Sequence, residues 1–152
     1  MEYQHEKTVS VLKELLEFVN DGIKGYNTAA DETTDEHLRS FCLQHALERE
    51  EFADEISRII KNCGGEPENN GTIKGALYRQ WMDVKATFTN SDDDAITASC
   101  LYGEEWALRA YEDAMTQSFD LTAEAKTCVV QQRQKIEIAY EELKEMEALH
   151  HH

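Results

Sequence analysis

The chain has 152 residues, of which 31 are acidic and 15 are basic, so its formal net charge is −16. Because the acidic residues are spread along the whole chain, we expect no basic face that could bind nucleic acid or an anionic membrane surface. A hydrophobic fraction of 41% is enough for a packed core, and one proline with seven glycines favours long helices. The composition predicts one acidic, all-α domain.

Apolar residues recur every three or four positions from about Glu6 to Ala30, which predicts a first amphipathic helix. Thr33, followed three residues later by Glu36, is typical of a capping box and predicts the start of a second helix. Cys63-Gly64-Gly65 predicts the end of that helix. The predicted apolar residues of the two helices are Val9, Leu12, Leu15, Leu16, Val19, Ile23, Tyr26, Leu38, Phe41, Cys42, Phe52, Ile56, Ile59 and Ile60.

The second half of the chain has three further helical patterns. A shorter helix is predicted from Thr72 to Phe88, and a long helix begins after Asn90-Ser91-Asp92. A last helix begins after Asp120-Leu121-Thr122 and runs toward Met146. The predicted apolar residues of the two long helices are Leu101, Leu108, Tyr111, Met115, Val129, Ile136, Ala139, Leu143 and Met146.

Four long helices with matching apolar stripes bury those stripes best as a four-helix bundle. The first and last connections are short, and the middle connection is long and carries the additional shorter helix. One long crossover is typical of the ferritin-like topology. The sequence therefore predicts a single ferritin-like domain over residues 1–149, with His150–His152 read as purification-tag residues.

The shorter helix has one apolar face, made by Leu77, Trp81, Val84 and Phe88. Such a face is expected to pack along the outside of the bundle or against a second subunit. Truncation of Trp81 to Ala should then cost about 3–5 kcal/mol. A homo-oligomer and an unidentified protein partner both stay open.

The four cysteines, Cys42, Cys63, Cys100 and Cys128, are far apart and form no C-x-x-C pair. We expect buried, reduced thiols and therefore a cytoplasmic protein. The N-terminal segment MEYQHEKT lacks a signal pattern, and no apolar run reaches the roughly 20 residues of a membrane span.

Polar residues that share the apolar stripes are the candidate functional residues, because sites in helix bundles are built from inward-facing side chains. They include His45 and Glu48 on the second helix, Glu104 on the third long helix and Glu137 on the last helix. We expect Glu104 to be buried between Leu101 and Leu108, with His45 or Gln132 as its partner.

A di-metal carboxylate site needs two Glu-x-x-His pairs and two further glutamates. The corresponding positions read Glu48-x-x-Glu51 and Glu137-x-x-Tyr140, so the nitrogen ligands are missing. No catalytic motif is found either. We therefore assign no metal, cofactor or catalytic residue, and keep an iron or manganese site at His45, Glu48, Glu104 and Glu137 as the alternative.

Several motifs in this order resemble an uncharacterised bacterial family of ferritin-like four-helix-bundle proteins. They are Asn20-Asp21-Gly22 with Gly25-Tyr26, Glu48-Arg49 with Phe52-Ala53, Gly64-Gly65-Glu66-Pro67, Trp81-Met82-Asp83-x-Lys85, and Gly103-Glu104 with Leu108 and Tyr111. The resemblance implies a ferritin-like fold and brings no established activity, substrate or metal. Relative to the rubrerythrin-like pattern, Phe52 and Tyr140 stand where ligand histidines would be, and Asn20 stands where a glutamate would be.

The favoured interpretation is a soluble, non-enzymatic bundle with a degenerate metal site and a binding or stress-associated structural role. The alternative is a divergent, carboxylate-rich oxidoreductase or metal-storage protein that uses iron or manganese. Metal content is the property that separates the two.

Overall fold

The computed structural model describes residues 2–67 and 93–150, and over these ranges the chain is helical, with no strand. The long helices are α1 (Glu2–Glu32), α2 (Glu36–Asn62), α3 (Asp93–Thr116) and α4 (Ala123–His150). A short 3₁₀ helix, Ser118–Asp120, lies between α3 and α4. The predicted helix at residues 72–88, with its Trp81 face, lies outside the described residues. No helix in the described part of the chain is long and apolar enough to cross a membrane.

The four helices pack as two helical hairpins, because α1 packs against α2 and α3 packs against α4. The hairpins meet where α1 contacts α3 and α2 contacts α4. Polar contacts fix one end of this arrangement: the Gln4 amide donates to the Leu121 carbonyl at 3.1 Å, and the Thr122 N–H donates to the Thr8 hydroxyl at 3.0 Å. The α1 start therefore lies beside the α4 start.

The Asp93 carboxylate fixes the opposite end of the bundle. It accepts hydrogen bonds from the hydroxyl groups of Thr33 and Thr34, at 2.6 and 2.9 Å, and from the Thr34 N–H at 3.0 Å. The start of α3 is thus joined to the turn between α1 and α2, whereas α2 ends near the start of α4, where Arg58 pairs with Glu124. The connection between α2 and α3 consequently joins opposite ends of the bundle.

The start of α2 differs from the predicted capping box. Asp35 is the N-cap, and its carboxylate accepts hydrogen bonds from the N–H groups of His37 and Leu38. The Thr33 hydroxyl is engaged with Asp93, and Glu36 pairs with Arg39 instead of turning back to the helix start. The capping box is wrong because α2 begins at Glu36, with Asp35 as its N-cap, and the Thr33 hydroxyl accepts from the Asp35 N–H before the helix starts.

The predicted end of α2 is confirmed. Gly64 has a φ of +85°, its N–H donates to the Lys61 carbonyl, and the Gly65 N–H donates to the Ile60 carbonyl. These two bonds make a Schellman motif, which satisfies the last carbonyl groups of the helix.

Most of the predicted apolar residues are buried, and Met115 is the clear exception. Ala107 and Ala114 face the core near the end of α3, so the buried stripe runs to one side of Met115. Val9, Ile23 and Leu108 are only partly buried at the edges of their stripes. All four cysteines are free, and all except the partly exposed Cys63 are buried.

Candidate functional site

A buried ion pair joins the two hairpins. A terminal nitrogen of Arg49, on α2, donates to Glu104 Oε2, on α3, and each side chain is only 1% exposed. A carboxylate that faces a bundle core requires a positive charge nearby, because an isolated buried charge is very costly. Arg49 supplies that charge from within the chain.

Aromatic rings and a glycine surround the Arg49 guanidinium. Its central carbon lies 5.5 Å from the centroid of the Tyr26 ring and 5.6 Å from that of Phe52, within the range of cation–π attraction. A Cβ atom at Gly22 would lie 3.2 Å from Arg49 Nη1. The glycine on α1 therefore makes room for the guanidinium.

Burial and neighbouring charges determine the protonation states of Arg49 and Tyr26. Burial opposes the charged form of Arg49, but the Glu104 carboxylate outweighs it and raises the pKa of Arg49 above its ordinary value. Burial and the same carboxylate raise the pKa of Tyr26 well above 10.0, so the phenol stays protonated. At neutral pH the site therefore contains a guanidinium and a neutral phenol.

His45 lies one turn before Arg49 on α2, and Glu48 is the residue directly before Arg49. His45 Nδ1 is 3.3 Å from Glu48 Oε1, and the buried His45 ring lies 4.2 Å from the Phe41 ring, centroid to centroid. The hydrogen bond to His45 lowers the pKa of Glu48 from its ordinary value of 4.5, against the opposing effect of burial. Glu48 reaches toward solvent, whereas His45 is held among aromatic rings.

Glu137 belongs to a surface ion pair and not to the buried cluster. It is about half exposed on α4 and pairs with Arg133, with its Oε2 3.1 Å from Arg133 Nη1. The four candidate residues are thus divided between a His45–Glu48 contact, the ion pair of Glu104 and the surface pair of Glu137. No group of three or more His, Cys, Asp and Glu side chains that could hold a metal is found among residues 2–67 and 93–150.

The burial of Glu104 is confirmed, but both predicted partners are wrong. His45 contacts Glu48, and the Gln132 amide group accepts from the Tyr111 hydroxyl at 2.6 Å and donates to Glu55 at 2.8 Å. Arg49 was the missed residue. Its position, four residues after His45 and three before Phe52, places it on the buried stripe of α2, and this spacing was the available signal.

A family model described as a domain of unknown function, DUF2383, matches residues 7–117 of the chain. The match includes all of α2 and α3, most of α1, and both members of the buried ion pair, whereas α4 lies beyond it. No curated protein and no solved structure matches the chain.

Proposed function

The chain belongs to the family of the domain of unknown function DUF2383, and we propose that it is a ferritin-like four-helix bundle that works without a metal cofactor. The single observation that carries this proposal is the ion pair between Arg49 and Glu104. Metal sites in bundles bring several carboxylates together, and the metal ion balances their charge. Here a guanidinium already balances the buried Glu104 carboxylate.

The donor set around Glu104 also supports a degenerate metal site. A guanidinium cannot ligate a cation, because it is always protonated and has no acceptor atom. Arg49 would repel a divalent ion at Glu104, and Glu137 is engaged with Arg133 on the surface. The bundle then has a binding or structural role and acts through its surfaces, in a reducing cytoplasm that suits its four free thiols.

Metal analysis of protein without His150–His152 tests this proposal, since consecutive histidines bind metals themselves. We expect far less than one equivalent of metal per chain after incubation with iron(II) or manganese(II) and removal of excess ion. The matched variants are Glu104→Gln in the core and Glu112→Gln, an exposed glutamate on the same helix. Near-stoichiometric metal that is lost in Glu104→Gln and retained in Glu112→Gln would overturn the proposal.

The alternative is a divergent iron or manganese protein, and the contact between His45 and Glu48 is the observation that favours it. An imidazole and a carboxylate one turn apart can bind one metal ion from the same helix. Under this alternative, His45→Ala and Glu48→Gln would each reduce the bound metal, whereas Glu50→Gln, at an exposed neighbour, would not.

A further inference from the structure

A cavity of about 160 Å³ lies between α1 and α3, away from the buried ion pair. Its floor is apolar and includes the buried side chains of Val11, Leu15 and Ala114. Ala110 and Ala114 are small residues on the α3 side, and they leave room that larger side chains would fill. The cavity opens to solvent on the side of its exposed lining residues.

The volume and the walls of this cavity suit one compact apolar group. A protein cavity of about 150 Å³ lined by apolar side chains holds a benzene molecule. The partly exposed rings of Phe18 and Trp106 also line the cavity, and such rings favour contact with a flat or branched hydrocarbon group. A phenyl ring or a branched aliphatic group therefore fits the space.

Charged side chains line the same cavity with both signs of charge. The Arg109 guanidinium lies over Trp106, 5.2 Å from the ring centroid. This contact turns the Arg109 side chain toward the start of α3. Asp113 is one turn further along α3, at a spacing that allows an ion pair with Arg109, and none is present between these two described residues. With Glu14 from α1, the rim has one positive and two negative groups.

We infer that this cavity binds a small zwitterion with an apolar body, of the size of an aromatic or branched aliphatic amino acid. The apolar group would enter the cavity, its carboxylate would pair with Arg109, and its ammonium group would lie near Glu14 and Asp113. A simple anion would be repelled by these two acids and by the net charge of −16. A simple cation would leave Arg109 without a counter-charge.

A titration followed by ¹H–¹⁵N NMR tests this inference, with the indole N–H signal of Trp106, assigned through Trp106→Phe, as the reporter. The probe is L-phenylalanine, and its matched controls are phenethylamine, which lacks the carboxylate, and phenylacetate, which lacks the ammonium group. We expect saturable shifts with phenylalanine and at least about tenfold weaker binding of both controls, because each loses a charged contact.

Two variants locate the site. Ala110→Leu fills the cavity and should abolish the shifts. Arg109→Gln, at an exposed position, should weaken phenylalanine binding about tenfold. The same variant should not weaken the binding of phenethylamine, which has no carboxylate. Arg58→Gln, an exposed arginine on α2, is the control and should change neither. If Ala110→Leu does not fold, the affinity of Arg109→Gln for phenylalanine tests the inference by itself.

Absence of saturable shifts would overturn the inference. So would equal affinity for phenylalanine and either control, or an unchanged affinity for phenylalanine in Arg109→Gln. The cavity shares no lining residue with the buried ion pair, so this result is independent of the proposed metal-free function.

Discussion

Replacement of Glu104 by glutamine keeps the size of the side chain and removes its charge. Arg49, which is 1% exposed, would then be a buried charge without a counter-charge. Loss of one partner of a buried pair typically costs about 3–5 kcal/mol. We therefore expect Glu104→Gln to lower the free energy of unfolding by about that amount in urea denaturation at pH 7.

The matched control is Glu112→Gln, which breaks the exposed pair with Arg133 and should cost less than about 1 kcal/mol. Equal and small losses in the two variants would contradict the prediction. They would mean that Arg49 finds another partner or is reached by water when Glu104 is neutral.

The contact between His45 and Glu48 predicts a pH dependence. The pKa of Glu48 is lowered from 4.5 in the folded chain, mainly by the hydrogen bond to His45. A lowered pKa in the folded state means that the carboxylate stabilises the fold above pH 4.5, and that this contribution is lost as the pH falls through the lowered value. The stability difference between the unmodified chain and Glu48→Gln should therefore shrink as the pH falls below 4.5.

Because Glu48 is partly solvated, this difference should stay below about 1 kcal/mol at neutral pH. Urea denaturation across this pH range measures it, with Glu50→Gln as an exposed neighbour for comparison. A difference that does not change with pH would rule out the linkage to Glu48.

The partner of Glu104 shows where prediction from the sequence stops at the scale of single residues. Periodicity places Glu104 on a buried stripe, but it does not say which residue of another helix faces it. Arginine is rarely fully buried, so Arg49 is ordinarily read as a surface residue. Its partner lies 55 positions away in the other hairpin, and only the packing of the hairpins brings the two together.

At the scale of the helices, the two possible caps of α2 can be separated by mutation. Asp35 accepts two backbone hydrogen bonds at the helix start, whereas Glu36 interacts with Arg39. Asp35→Ala should lower the free energy of unfolding by about 1 kcal/mol, the usual value of an N-cap, and Glu36→Gln should change it by only a few tenths. Thermal or urea denaturation measures both losses. A larger loss in Glu36→Gln than in Asp35→Ala would indicate that the capping box forms after all.

Helix ends that depend on local chemistry could be predicted, and those that depend on distant contacts could not. Gly64 and Gly65 end α2 through bonds to carbonyl groups within the same helix. Thr33 has the spacing of a cap but interacts with Asp93, 60 positions along the chain. The apolar stripes were predictable for the same local reason, except near the end of α3, where Met115 lies outside the buried face.

At the scale of the whole molecule, the four helices form two hairpins, and the chain between α2 and α3 joins opposite ends of the bundle. The contacts of Asp93 at one end and of Thr122 at the other put the start of α3 and the end of α2 at opposite ends of the bundle. The length of the middle connection made this topology predictable. The predicted helix at residues 72–88 and the Trp81→Ala result stay predictions, and the oligomeric state stays open.

The ion pair between the hairpins has a consequence for folding kinetics. Contacts inside each hairpin are close in sequence and can form early, whereas Arg49 and Glu104 lose their water only when the two hairpins dock. If docking completes after the folding transition state, Glu104→Gln should mainly speed unfolding and leave the refolding rate nearly unchanged.

Stopped-flow folding and unfolding in urea measures this effect. Phe41→Leu is the comparison, because the Phe41 ring contacts Tyr26 within the first hairpin and its loss should slow refolding more. A refolding rate that falls as much as the unfolding rate rises in Glu104→Gln would place the pair inside the folding nucleus instead. With the expected result, the buried charges govern how long the chain stays folded and have little influence on how fast it folds.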